Sequence, residues 1–136
     1  MNFPSDIPDN CPPASAFDPD GLVVHRLVKS IPPTPQDFVR PFELPRKHPI
    51  PAEELCSFAA LSVFADEADI PNAREFIPGF RKRRVVSATL TTAAGVILNT
   101  PSIPPLNLEL VLHSHHDLWL YAGVDPLPMF NIESAA

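Results

Sequence analysis

Leu61-Ser62-Val63-Phe64-Ala65, followed directly by Asp66-Glu67-Ala68-Asp69, is the stretch that decides the fold class. Its first five residues alternate in the manner of a strand. The next four open a helix, because Asp66 is a natural N-cap and acidic side chains there face the positive end of the helix dipole. The helix is expected to run on through Asn72-Ala73-Arg74-Glu75-Phe76, with Pro71 in an early turn, and to stop at Pro78-Gly79. Strand, cap and helix in one short run point to an α+β chain.

Toward the N-terminus, Leu22-Val23-Val24-His25-Arg26-Leu27-Val28 is β-branched and nearly continuous in apolar character, which suits a strand buried on at least one face. It ends at Ile31-Pro32-Pro33. Thr34-Pro35-Gln36-Asp37-Phe38 fits one helical turn with Thr34 as N-cap, and residues 52–58 fit a second short helix behind Pro51. Toward the C-terminus, residues 83–91 read as a strand, Ala94-Gly95 as a turn and residues 96–99 as its antiparallel partner in a hairpin. Residues 108–112, 117–121 and 129–132 complete the strand candidates. The expected core is Val24, Leu61, Val63, Val86, Ala88, Leu90, Ile97 and Leu110.

These elements predict an α+β chain with a mixed, mostly antiparallel sheet, two or three short helices and long proline-rich connections. Its 136 residues suit a single domain, and 45% apolar residues can supply one core. Nineteen prolines against four glycines exclude long helices, since each proline fixes φ and removes a backbone donor. Residues 1–20, with five prolines among small and acidic residues, read as an extended arm, and residues 21–136 as the folded domain. No internal repeat is present, so solenoid and propeller architectures are excluded.

A net charge of −6 makes nucleic acid a poor partner, since that binding rests on clustered Lys and Arg. The run Arg81-Lys82-Arg83-Arg84 reads as a solvated strand entrance. Cys11 and Cys56, without a basic and apolar leader before them, predict free thiols and a cytoplasmic protein. No apolar stretch long enough to cross a bilayer occurs without charge or proline.

Few constellations could carry chemistry. His113-Ser114-His115-His116-Asp117 is the densest polar cluster. In an extended segment His113, His115 and Asp117 share one face and could hold a transition metal such as zinc, with His116 on the other. His25, beside Arg26 in an apolar strand, fits either a pocket floor or a strand position with a local partner. Ser57 and Ser62 lie outside any nucleophile elbow, and four glycines leave no phosphate-cradling loop. Cys56 reads as a buried, inert thiol, and Trp119 with Tyr121 as packing on one strand face.

Asn10-Cys11-Pro12-Pro13, His25-Arg26-Leu27-Val28, Pro33-Thr34-Pro35-Gln36-Asp37-Phe38, Leu61-Ser62-Val63-Phe64 and His115-His116-Asp117-Leu118-Trp119 together resemble a family of small, uncharacterised bacterial proteins. The resemblance covers most of the chain and implies a bacterial cytoplasmic protein without assigning a chemistry. It departs at Leu118-Trp119, where paired tryptophans are expected. The succession of a His-Arg strand, a Ser-bearing strand, an acidic helix and a late strand pair is also similar to the scaffold of ADP-ribosyltransferases. That likeness implies NAD held between strands, with His25 and Ser62 as catalytic residues and Arg26 on the cofactor. The carboxylate of that pattern would fall to Glu109 or Asp117.

Two functions follow from the sequence. The first is a non-catalytic interaction or accessory domain, with proline-rich segments and strand edges contacting another protein or a second copy as a homodimer, and no membrane. The alternative is an NAD-using or metal-using transferase built on His25, Ser62 and the cluster from His113 to Asp117.

Overall fold

Strand β1 (Val23–Val28) is the hub of the computed structural model, which describes residues 2–133. The parts of the expected arm and domain at residues 1 and 134–136 lie outside the described residues. β1 pairs on one side with β2 (Leu61–Phe64) and on the other with β3 (Arg84–Thr89). β5 (His115–Leu120) continues the sheet beyond β2, and β4 (Gly95–Asn99) lies beyond β5. The two-residue β6 (Ile132–Glu133) pairs with β3, giving the order β4-β5-β2-β1-β3-β6. Helices α1 (Leu55–Phe58) and α2 (Ile70–Phe76) and several 3-10 turns complete an α+β domain. Every strand pairing described is antiparallel, so the parallel element of a mixed sheet is absent among the described residues.

Alternation along each strand makes two clusters. On one face Val24, Leu61, Val63, Val86, Ala88, Ile97 and Leu118 pack with Leu90 and Phe130. On the other, Leu27, Phe64 and Val85 pack beneath Ile70 and Ala73 of α2. Burying each of the larger side chains contributes about 1.5–3 kcal/mol. The expected core is present, with Leu110 half-buried at the edge of the second cluster.

Local chemistry places the connections. Asp66 accepts from the Ala68 backbone N–H at 2.9 Å and starts the turn that leads into α2, where Pro71 occupies the first turn. The buried Asp37 carboxylate accepts from the backbone N–H groups of Lys29 (2.7 Å) and Thr34 (2.9 Å), tying the 3-10 turn Pro35–Phe38 to the end of β1. Phe38 thereby reaches the first cluster, 5.4 Å from the Phe130 ring.

Three expectations are corrected. β3 and β4 do not form a hairpin; residues 90–94 instead carry the chain across the sheet, and β4 pairs with β5. Gly95 serves that pairing, since a Cβ there would lie 2.0 Å from the Trp119 carbonyl oxygen. Residues 108–112 form no strand, because Asn107 turns the chain: its N–H bonds to the Pro104 carbonyl and its side chain accepts from the Glu109 N–H. The homodimer edge expected there is therefore missing. Cys11 and Cys56 are not free but joined in a disulfide, which removes the free-thiol basis for a cytoplasmic location. No helix among the described residues is long and apolar enough to cross a membrane.

The arm lies on the domain. Phe17 exchanges backbone hydrogen bonds with Ile97 on β4, both 2.9 Å, and the disulfide ties Cys11 to α1. Further out, Asp6 pairs with Arg40 and Phe3 stacks on Tyr121 at 5.0 Å.

Candidate functional site

The register of β2 against β5 sets Ser62 opposite Asp117 and Phe64 opposite His115, so all four side chains project from one face. His115 is the centre of the resulting network. Its Nδ1 lies 2.8 Å from the Thr100 carbonyl oxygen, which can only accept, so Nδ1 carries the proton. Nε2 of the neutral ring is then the acceptor, and the Ser62 hydroxyl, 3.0 Å away, donates to it. Phe64 packs edge-on against the imidazole at 5.5 Å and fixes its plane.

Thr100 extends the network. Its hydroxyl is 3.0 Å from His115 Nδ1 and also hydrogen-bonds the Asp117 carboxylate, which accepts from Ser57 Oγ at 3.0 Å as well. Burial pushes the Asp117 carboxyl above the usual carboxylate range, while His115 and these hydroxyls pull it partly back. Ser57, Thr100, His115 and Asp117 line a cleft of about 390 Å³ between α1 and the start of the β4–β5 connection. Chemically, His115 is placed to withdraw the Ser62 proton, with Thr100 linking the ring to a carboxylate that would stabilise the imidazolium.

The other expected site residues lie elsewhere. His25 Nδ1 is 2.7 Å from Ser87 Oγ on the neighbouring strand, with a Glu67 carboxylate oxygen 3.6 Å away. Arg26 fills the gap where β1 and β2 part: Nε donates to the Asp37 carbonyl at 2.9 Å and an Nη to the Ser62 carbonyl at 2.7 Å. Desolvation pushes its pKa down to about 10, against the opposing pull of Asp37. These bonds commit the Arg26 guanidinium to the backbone. His113 is exposed, whereas His115 and Asp117 belong to the network just described, and His116 points to the opposite face, its Nδ1 2.6 Å from the Ser114 carbonyl. Among the described residues no group of three or more His, Cys, Asp and Glu side chains is placed to hold a metal ion, so the expected set of His113, His115 and Asp117 does not assemble. The ring of His113 lies beyond the end of β5, where strand alternation no longer aligns it with the other two.

A second surface is apolar. In the β4–β5 connection Ile103, Leu106 and Leu108 are 56%, 61% and 76% exposed. The loop that carries them is tied down: Ser102 and Leu112 form a β-bridge, Leu106 N–H bonds to the Phe76 carbonyl at 3.0 Å, and the Ser114 N–H and hydroxyl bond to Asp69. Of the three, only Leu108 falls in a segment expected as a strand, residues 108–112; large aliphatics spaced among prolines are the signal for such a loop.

No family model, curated protein or solved structure matches the chain.

Proposed function

We propose that this protein is an interaction domain that presents the anchored loop carrying Ile103, Leu106 and Leu108 to another polypeptide. The observation that supports this is the combination of order and exposure: three large aliphatic side chains face water on a loop fixed at both ends and in its middle. Clustered exposed apolar groups of this kind mark contact surfaces. The partner is a protein, or a second copy of the chain, and the bonded cysteine pair favours an oxidising compartment over the cytoplasm. The triple substitution Ile103→Ser/Leu106→Ser/Leu108→Ser should leave the far-ultraviolet circular dichroism unchanged. It should also abolish complex formation, read by sedimentation velocity for self-association and by co-purification with a tagged chain for a different partner. A variant that still forms the wild-type complex would reject the reading.

One observation favours a second reading, transfer to or from the Ser62 hydroxyl: the 3.0 Å Ser62–His115 hydrogen bond with its tautomer set by Thr100. This keeps Ser62, His115 and Asp117 from the transferase alternative, whereas His25, its other catalytic residue, and Arg26, its cofactor-binding residue, have structural partners. A fluorophosphonate probe should label the wild type and spare Ser62→Ala and His115→Gln; absence of labelling removes this reading.

A further inference from the structure

Residues Phe3, Pro4 and Ile7 of the arm lie across the sheet at Leu61, Leu118 and Leu120, but they do not fill the space beneath them. A cleft of about 180 Å³ remains, partly open to solvent, with Phe38, Ala59 and Tyr121 among its other lining residues. We infer that this cleft is a binding site for a small, neutral, apolar molecule of the size of a one-ring aromatic or a short alkyl chain, with the N-terminal arm as its cover.

Size, polarity and charge each point to that ligand class. A volume of roughly 150 Å³ suffices to hold benzene, and this cleft, whose walls are mostly apolar, is larger. Among the described residues no buried side-chain nitrogen or oxygen lacks a hydrogen-bond partner, so no orphaned side chain there calls for a polar ligand or a fixed water. Arg40 is the charged group in the wall, and it is neutralised twice, by Asp6 on the arm and by Glu43. An anionic ligand would have to compete with both. The cover is separately anchored: the Ala122 N–H bonds to the Asn2 carbonyl at 2.7 Å, Phe3 stacks on Tyr121, and the disulfide fixes the arm at Cys11. Ile7, between the anchored Phe3 and Cys11, can therefore lift and admit a molecule without the arm leaving the domain.

The sole tryptophan, Trp119, lines the cleft and reports on its contents. Toluene is the probe, followed by saturation-transfer NMR and Trp119 emission on the intact oxidised protein. Saturable binding is expected, and Ala59→Leu, which fills the cleft from the end of α1, should weaken it about tenfold or more. Because a core substitution can impair folding, Ile7→Trp fills the same space from the arm and should have the same effect. The inference is overturned if the wild type shows no saturable toluene signal, or if Ile7→Trp, with wild-type circular dichroism, binds toluene as tightly as the parent.

Discussion

Replacing both Cys11 and Cys56 by alanine removes the covalent tie between the arm and α1 while leaving the Cys56 carbonyl that accepts the Trp119 indole N–H at 2.9 Å. The bonded cysteines are 45 residues apart in sequence. Closing a loop of that length lowers the entropy of the unfolded chain by about 13 cal/mol/K, or about 4 kcal/mol at 25 °C. Against a total stability of roughly 5–15 kcal/mol this is a large fraction. In a domain of this size it should lower Tm by roughly 15 °C. The assay is urea unfolding followed through Trp119, which is 2% exposed in the native protein, on the oxidised wild type, on the reduced wild type and on the double variant. The denaturant slope should rise in the last two, because an unlinked unfolded chain exposes more surface. Reduced protein and double variant should agree with each other. If the oxidised protein, its disulfide verified by peptide mapping, is within about 1 kcal/mol of the reduced one, the unfolded-chain argument fails for this pair.

Arg26→Ala should destabilise by roughly 2–4 kcal/mol, because it leaves the Asp37 and Ser62 carbonyls without the guanidinium donors that bridge β1 to β2; chemical denaturation checks it. Gly95→Ala should cost more than about 4 kcal/mol or prevent folding, as its Cβ would meet the Trp119 carbonyl oxygen at 2.0 Å, and expression yield with thermal unfolding will show it. Asp66→Ala should cost about 1 kcal/mol by removing the cap of the turn into α2, measurable as a shift in the urea midpoint. The raised folded-state pKa of Asp117 means that the native protein holds this proton more tightly than the unfolded chain. Its contribution therefore falls as pH rises from the unfolded value of 3.8 through the raised folded one. Wild-type stability relative to Asp117→Asn should accordingly improve on acidification through that window, and a difference independent of pH would contradict the burial argument.

What could be read from the chain was what depends on near neighbours. Strand β1 announces itself by a nearly continuous apolar run and β2 by alternation, each within a few residues, and Asp66 caps a turn only two positions away. Partners across the sheet were hidden. The β3–β4 hairpin was expected because Ala94-Gly95 looks like a turn, whereas the glycine is required by the backbone of β5, more than twenty residues on. The cysteines showed no local sign of pairing across their separation. The site divides in the same way. Alternation placed His115 and Asp117 on one face, but Ser62 joins them only through the β2–β5 register, and Thr100 enters through its carbonyl and hydroxyl at the end of β4, where sequence gave no signal. His25 and Arg26 were conspicuous as polar groups in an apolar strand, and that prominence reflects local structural demand: a serine on the next strand and two carbonyls in the gap beside it.

The most direct test of the interaction-domain account is site-specific photo-cross-linking in the source cells with a benzophenone amino acid in place of Leu108, compared with the same group at the exposed Glu75 of α2. The account predicts a discrete polypeptide adduct from position 108, absent from position 75 and lost when Ile103 and Leu106 are also changed to serine. No adduct at 108, or one that survives those two substitutions unchanged, would contradict it.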